Sequence, residues 1–202
     1  MNVRLYIAMP RRKTISDDRV IDVLFAEVLR TGPSGLTFAG AAKACGLAPA
    51  TLVQRYGNRE ALLQAILLRA WDRLDAETAA ADAEVESTPR GAIDLLMRLM
   101  PPEEAERNAA DGLLLLREDF RDPVLRARGA AWGRRLAVAL GRRLSEDSEV
   151  AQRLGWQMAS LWQGAHTWWA FIREEPAERA IRRALEDWLS TIAVVSDVEG
   201  CA

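Results

Sequence analysis

Residues 36–63 read LTFAGAAKACGLAPATLVQRYGNREALL, and this stretch contains the clearest helix-start and helix-end signals of the chain. Thr37 is a good N-cap for a short helix that ends at Gly46, because glycine tolerates the positive φ at which helices stop. Pro49 suits the first turn of a second short helix, since the amide that proline lacks would be unbonded there. Asn58 can cap the helix that follows. Two short helices joined by a tight turn are typical of a helix-turn-helix.

The pattern on both sides of this stretch is helical. Apolar residues recur with helical spacing almost everywhere and no strand-like alternation appears, which predicts an all-α protein of about nine helices. Glycine and proline residues separate the helices, because the residue before a proline disfavours helical geometry. The predicted helices are 16–30, 37–45, 49–56, a fourth from 58 that frays before Pro89, and others near 89–100, 103–120, 123–144, 147–174 and 177–195.

The charge divides the chain into two unequal parts. Residues 1–70 hold ten basic and five acidic side chains, whereas residues 71–202 hold 17 basic and 24 acidic ones. A basic head on an acidic body favours a head that meets a polyanion, although chance clustering explains the same counts. We therefore divide the chain into an N-terminal arm with a three-helix head, 1–57, and a larger helical body, 58–202.

Composition argues against several functional classes. His166 is the single histidine, and Cys45 and Cys201 lie far apart, so histidine catalysis, a structural zinc site and a disulfide framework are not indicated. No phosphate loop and no nucleophile-histidine-acid order appears, and we expect neither an enzyme nor a cofactor. No stretch reaches the roughly 18 uncharged apolar residues of a membrane span, and the N-terminus lacks a secretory leader. We expect a cytoplasmic protein without membrane contact.

The second helix of the predicted motif has one face suited to DNA. Small and medium apolar residues, among them Leu52, allow the two helices to cross closely. The other side carries short, polar or cationic groups that suit base edges and phosphates. An ordinary solvated helix surface is the competing interpretation. The residues predicted to be exposed on this side are Ala50, Thr51, Gln54 and Arg55.

Residues 36–63 resemble the signature of TetR-family transcriptional regulators, whereas the body resembles that family only in length and helix content. The resemblance implies a homodimer that binds a palindromic operator in double-stranded DNA. It also implies a repressor that a small apolar or aromatic inducer releases, and assigns regulation and dimerisation to residues 58–202. The positions that it places against DNA are Thr37, Pro49, Ala50, Thr51, Gln54, Arg55, Tyr56 and Arg59, with Arg11, Arg12 and Lys13 in a basic arm.

The motif departs from the family pattern at several of these positions. Val53 stands where a tyrosine usually contacts a phosphate, and Ala48 stands where a serine usually caps the helix. Arg55 replaces a common histidine, and Arg59 a common lysine. These departures keep open a helical interaction protein that retains the fold but has lost specific DNA binding. A solubilising tail remains the alternative for the basic arm.

The last two predicted helices carry apolar stripes that indicate a dimer seam. One stripe recurs at spacings of four and three residues, the pattern of coiled-coil-like packing. The other helix is apolar on both sides and must therefore be buried on both, either against a partner copy in a four-helix bundle or at the centre of one chain. The predicted seam consists of Leu161, Ala165, Trp168, Ile172, Ile181, Leu185, Trp188 and Ile192.

All seven tryptophans lie at or after residue 71. Large rings can line an apolar ligand cavity, but they can equally fill the core and the dimer seam. For the single histidine, an interior residue with satisfied hydrogen bonds is the alternative to a ligand contact. The predicted pocket consists of Trp71, Met97, Leu116, Phe120, Trp132, Trp156, Trp162 and His166.

Overall fold

The computed structural model describes residues 15–100 and 102–199, together with their side chains except those of 102–104, 106–111 and 193–199. This part of the chain contains nine α-helices and no strand, so the all-α prediction is confirmed. A 3-10 turn, Pro33–Gly35, lies between the first two helices. The helices are α1 (Asp17–Thr31), α2 (Phe38–Cys45), α3 (Pro49–Tyr56), α4 (Arg59–Glu84), α5 (Pro89–Leu99), α6 (Pro102–Arg121), α7 (Pro123–Gly141), α8 (Ser148–Ile172) and α9 (Ala177–Glu199).

The helix ends of the head follow the capping residues in the sequence. Thr37 Oγ1 accepts a hydrogen bond from Gly40 N at 3.1 Å, and Asn58 Oδ1 accepts one from Ala61 N at 2.8 Å. Gly46 ends α2 with a φ of 65°, in the left-handed region that favours glycine. Ala48 gives α3 no side-chain cap, as its methyl group dictates.

The predicted fraying of α4 is wrong. The helix continues to Glu84 because its second half packs against α7 instead of facing solvent on all sides. Thr78 and Ala81 are buried there, and Thr78 Oγ1 accepts a hydrogen bond from Trp132 Nε1 at 2.9 Å. Tertiary packing therefore extends the helix through a stretch that looks solvent-exposed in sequence.

The head has its own hydrophobic core. Its core helices are α1, α2 and α3 together with the first half of α4, and one residue of α7, Leu125, also belongs to it. The core thus extends beyond residue 57, where we divided the chain, because α4 contributes to head and body alike. The fully buried side chains at its centre are Val20, Leu24, Leu52, Leu62 and Ile66.

Helix α8 is the central element of the body and packs against α6, α7 and α9. Two glycines let α7 and α8 cross at backbone contact. A Cβ at Gly155 would lie 1.9 Å from the Ala137 carbonyl oxygen, and one at Gly141 would lie 2.2 Å from the Ala151 carbonyl oxygen. Both positions therefore require glycine for steric reasons.

Arg143 fixes the end of α4 and the loop to α5. Its guanidinium is buried and donates to Asp82 Oδ1 at 2.5 Å and to the carbonyl oxygens of Asp82, Val85, Glu86 and Ala139. Five acceptors surround one planar cation, a pattern suited to the five N–H groups of arginine.

In the described part of the chain, no helix combines the length and apolarity of a membrane span.

Candidate nucleic-acid interface and ligand site

One side of α3 faces away from the head. Ala50, Val53 and Gln54 are exposed and recur at helical spacing, and Gly57 continues the stripe just beyond the helix. Leu52, on the opposite side, is fully buried in the head core. The exposed stripe is narrow and bears small or polar groups, so another surface can approach the α3 backbone closely.

Further polar groups border this stripe. Thr37, at the start of α2, is exposed while its hydroxyl caps the helix, and Lys43 is exposed near the end of α2. Thr51 is half-buried. Val53 is 45% exposed, so the position where the family usually has tyrosine presents an apolar surface.

Arg55 does not point outwards, contrary to our expectation. Its Nη1 donates to the Ile15 carbonyl oxygen at 3.2 Å and to Asp17 Oδ1 at 2.9 Å. The side chain lies only three residues from buried Leu52, so it packs beside the core and reaches the start of α1. Arg55 therefore fixes the point at which residues 1–14 join the head, next to α3.

Arg59 is also engaged within the chain. Its Nε donates to the Leu36 carbonyl oxygen at 2.9 Å, and its Nη2 donates to the Pro33 carbonyl oxygen at 2.5 Å. These bonds hold the segment between α1 and α2 against the start of α4. The side chain is still 37% exposed, which leaves part of the guanidinium accessible.

Two polar side chains face the interior of the head. The Tyr56 hydroxyl is buried without a hydrogen-bond partner among the described residues, and burial raises the pKa of this phenol. Cys45 Sγ lies 3.8 Å from the Val20 carbonyl oxygen, and burial raises the pKa of this thiol. Tyr56, which the resemblance places against DNA, therefore turns its hydroxyl end inwards.

Most of the positive charge of the head comes from its N-terminal arm. Residues 15–70 hold six basic and five acidic side chains, and the other four basic side chains of residues 1–70 lie in residues 1–14. Arg11, Arg12 and Lys13 are three of these four, and they lie outside the described residues.

The structure brings together only part of the predicted ligand pocket. Trp132, Trp162 and His166 are buried in the body core, and Trp71 and Met97 pack at its margin. Three predicted residues point to the surface instead of into this core, because residue type does not show the direction of a side chain. These exposed residues are Leu116, Phe120 and Trp156.

Trp71 and Trp132 connect the core of the body to the head. Their ring centroids lie 5.8 Å apart, and Trp71 Nε1 donates to Asp119 Oδ1 of α6 at 3.0 Å. Burial raises the pKa of the Asp119 carboxyl group, and the indole bond opposes that effect. Trp71 packs against both hydrophobic cores, so α4 links the body to the head.

Trp162 and His166 lie on the inner face of α8. His166 stacks on Trp169 with ring centroids 6.0 Å apart, and it hydrogen-bonds to the backbone of Ala105 in α6. Burial lowers the pKa of His166 more than this bond raises it, so the ring is neutral near pH 7. His166 Nε2 and Trp162 Nε1 are buried without a hydrogen-bond partner in the described part of the chain.

The C-terminal end of α8 exposes a large apolar surface. Trp168, Phe171 and Ile172 are 67%, 78% and 59% exposed. Leu161 and Ala165 continue it into a groove of about 690 Å³ between α8 and α9. The sequence analysis missed Phe171, although its position three residues after Trp168 places both on the same side of the helix.

The predicted seam on α9 is wrong at two positions. Ile181 and Leu185 are fully buried in the core of their own chain, because α9 turns this stripe towards α5 and α8. Trp188 and Ile192 are half-buried at the end of the same stripe. Apolar periodicity marks a buried face but does not tell whether the same chain or a partner covers it.

Among the described side chains, no group of three or more His, Cys, Asp or Glu residues is arranged to hold a metal ion.

At the level of sequence, no family model and no curated protein matches the chain. Solved structures match it over most of its length. A TetR transcriptional regulator from Legionella pneumophila is 15% identical, with a TM-score of 0.66, over 88% of this chain and 98% of that chain. A regulator from Saccharomonospora viridis, crystallised in complex with choline, is 15% identical, with a TM-score of 0.67, over 85% and 94% of the two chains.

A third similar structure is the TetR-family regulator PfmR from Thermus thermophilus. It is 20% identical, with a TM-score of 0.53, over 83% of this chain and 95% of that chain. The chain therefore has the all-α fold of TetR-family transcriptional regulators, across both head and body.

Proposed function

We propose that this protein is a DNA-binding transcriptional regulator that acts as a homodimer. The observation that carries the proposal is the exposed stripe of α3, held outwards by a capped and well-packed helix-turn-helix. A second helix presented in this way is the element that enters the major groove in such motifs. The fold shared with known transcriptional regulators supports the same function.

Gln54 is the side chain that reads the sequence in this proposal. It is exposed, and its amide offers both a donor and an acceptor, a pair suited to adenine in the major groove. Ala50 and Thr51 have short side chains, which let the α3 backbone come close to bases and phosphates. Thr37 and Lys43 meet phosphates on either side of the groove and set the orientation of the head.

Arg55 has a positioning role rather than a base-reading one. It ties Ile15 and Asp17 to α3, so the arm with Arg11, Arg12 and Lys13 begins beside the recognition helix. Cations that start there can reach the phosphates that flank the groove or enter the adjacent minor groove. The arm supplies the charge that the folded head lacks.

The exposed apolar end of α8 forms the dimer interface in this proposal. Trp168, Phe171 and Ile172 present an apolar patch of the kind that marks protein–protein contacts. A two-fold interface at this patch places two heads on one DNA duplex, and two heads read a palindromic operator. In a band-shift with a mixture of full-length and tagged protomers, a complex of intermediate mobility would support binding to the operator as a dimer.

We also propose that the regulator is a repressor released by a small molecule bound in the body. Two unpartnered polar atoms among the buried residues of the described body support such a site. A body of the same fold belongs to the Saccharomonospora protein crystallised with choline. Gln64 of α4 donates to Asp122 at 2.7 Å, and Asp122 caps α7, so α4 connects the body to the head. A ligand that favours one position of α4 changes the affinity of the heads for DNA.

A band-shift titration and a footprint on the DNA upstream of the gene test DNA binding. We expect a protected palindromic site and a loss of at least about fivefold in affinity for Gln54→Ala, since a good base contact contributes about 1–3 kcal/mol. Gln152→Ala is the matched control, because Gln152 is also an exposed glutamine but lies on α8. No protected site at low salt, or equal loss in both variants, contradicts the proposal.

A second candidate is a helical interaction protein that keeps the fold without specific DNA binding. The observation that favours it is the exposed Val53 on α3, together with the internal bonding of Arg55 and Arg59. Under this alternative the protein binds any duplex weakly, and the affinity for its upstream DNA equals that for random DNA. A specific affinity well above the non-specific one excludes it.

A further inference from the structure

Two polar atoms in the body core lack hydrogen-bond partners among the described residues, although their side chains are almost fully buried. Trp162 and His166 are 3% and 8% exposed, and the unpartnered atoms are Trp162 Nε1 and His166 Nε2. The residues are four apart on α8, so their side chains lie next to each other on one face. Buried polar groups are nearly always paired, because an unpaired one loses its hydration without compensation.

The bonding of each ring defines what the missing partner must do. The indole Nε1–H of Trp162 only donates. The hydrogen bond between His166 and the Ala105 backbone favours the protonated imidazole ring. The ring is therefore the donor in this bond, from Nδ1–H to the Ala105 carbonyl oxygen. Because burial keeps the ring neutral, Nε2 carries a lone pair and accepts.

The two rings are also held in fixed orientations. His166 stacks on Trp169, whose own Nε1 donates to the Glu175 carbonyl oxygen at 2.8 Å. The bond to Ala105 fixes the direction in which the imidazole ring presents Nε2. A donor and an acceptor, one helical turn apart on α8, are thus both buried without a partner among the described residues. The buried apolar residues of the same core cluster on α7, α8 and α9 include Leu136, Leu140, Met158, Ala159 and Ile181.

We propose that the regulatory ligand of this protein is a neutral apolar molecule with a hydroxyl group, a phenol or an alcohol, whose oxygen accepts from Trp162 and whose hydrogen bonds to His166. The inference rests on the ligand-responsive function proposed above. A hydroxyl does both tasks at one oxygen, whereas an ether or a carboxylate only accepts and an ammonium group only donates. The apolar core around the pair requires the remainder of the molecule to be hydrophobic.

Three probes of similar size test the requirement for a hydroxyl on the full-length protein without DNA. Isothermal titration calorimetry with phenol, anisole and toluene compares a hydroxyl, an ether and a methyl group on the same ring. We expect phenol to bind at least about tenfold more tightly than either of the others, because only phenol pairs both atoms. Equal affinities for the three, or no binding of phenol at millimolar concentration, overturn the inference.

Variants then locate the site. Trp162→Phe and His166→Phe each remove one polar atom and should weaken phenol binding about tenfold while affecting toluene little. Trp156→Phe is the matched control, since Trp156 is exposed on the same helix and lies outside both the proposed ligand site and the proposed dimer interface. A variant that melts like the native protein and binds phenol as tightly refutes the assignment. If neither variant folds, the comparison of the three probes on the native protein still decides.

The failure of this inference is distinguishable from a failure of the proposed function. A protein that binds its operator but does not discriminate phenol from toluene refutes the hydroxyl requirement alone. A protein that binds phenol selectively but has no operator refutes the DNA-binding proposal and leaves the ligand site in place. Addition of phenol to a preformed operator complex links the two, and the expected result is release of DNA.

Discussion

The N-terminal arm should carry most of the salt dependence of DNA binding. Residues 15–70 hold six basic side chains, and four of these already form ion pairs with acidic residues of the same segment. Only Arg19 and Lys43 have no ion pair within residues 15–70. The four paired residues are Arg30, Arg55, Arg59 and Arg69.

The size of the effect follows from the number of cations that the arm adds. Each phosphate that a protein neutralises contributes about −0.9 to the slope of log Kobs against log salt. Replacement of Arg11, Arg12 and Lys13 by alanine in both protomers removes up to six such contacts, so the slope should become less steep by about 5. Over a fourfold change in salt, from about 50 to about 200 mM, this difference corresponds to roughly a thousandfold in affinity.

Fluorescence anisotropy with a labelled operator, repeated across this salt range, measures the slope. The control carries alanine at Arg134, Arg153 and Arg179, three exposed arginines of the body that form no ion pair in the described residues. This control removes the same number of positive charges, but from the body instead of the arm, and should leave the slope nearly unchanged. If the arm variant keeps the native slope, or if both variants lose the same amount, the reasoning about the arm is refuted.

Three further predictions concern stability and can be checked by urea denaturation. Tyr56→Phe should stabilise the protein by about 1 kcal/mol, because it removes a buried hydroxyl without a partner among the described residues, and a destabilised variant would show that the hydroxyl is paired. Arg143→Lys should destabilise by about 3 kcal/mol, since one ammonium group cannot reach all five acceptors and leaves buried carbonyl oxygens without a donor; a change below about 1 kcal/mol would contradict this. Gly155→Ala should destabilise by about 2–3 kcal/mol, because its Cβ would overlap the Ala137 carbonyl oxygen and force α7 and α8 apart, and full native stability would disprove the close crossing.

The helix-turn-helix was predictable because local chemistry determines it. Thr37, Gly46, Pro49 and Asn58 each fit one position of a helix end, and the structure uses each of them there. These preferences act within one turn of backbone and need no information about distant parts of the chain. The all-α class was predictable for the same reason, since helical periodicity is a local property.

The direction of long side chains was not predictable in the same way. Arg55 is a residue type that commonly contacts DNA. Its side chain instead points to Ile15 and Asp17, and this direction depends on how the start of α1 lies against α3. Ile181 and Leu185 form an apolar stripe that either the same chain or a partner could bury. Only the packing of α9 on α5 and α8 shows that the same chain buries them. Tertiary contacts decide such cases.

Helix α4 is the element in which the proposed functions of head and body meet. Its first half lies in the head core, and its second half packs on α7 in the body. Trp71, between the two, bonds to Asp119 of α6 and packs on Trp132, while Gln64 bonds to Asp122 between α6 and α7. A ligand at Trp162 and His166 lies against α6, because His166 bonds to the Ala105 backbone in that helix. One route from the ligand to α3 therefore runs through α6 and α4, and a second runs through α7, which packs on both α8 and α4.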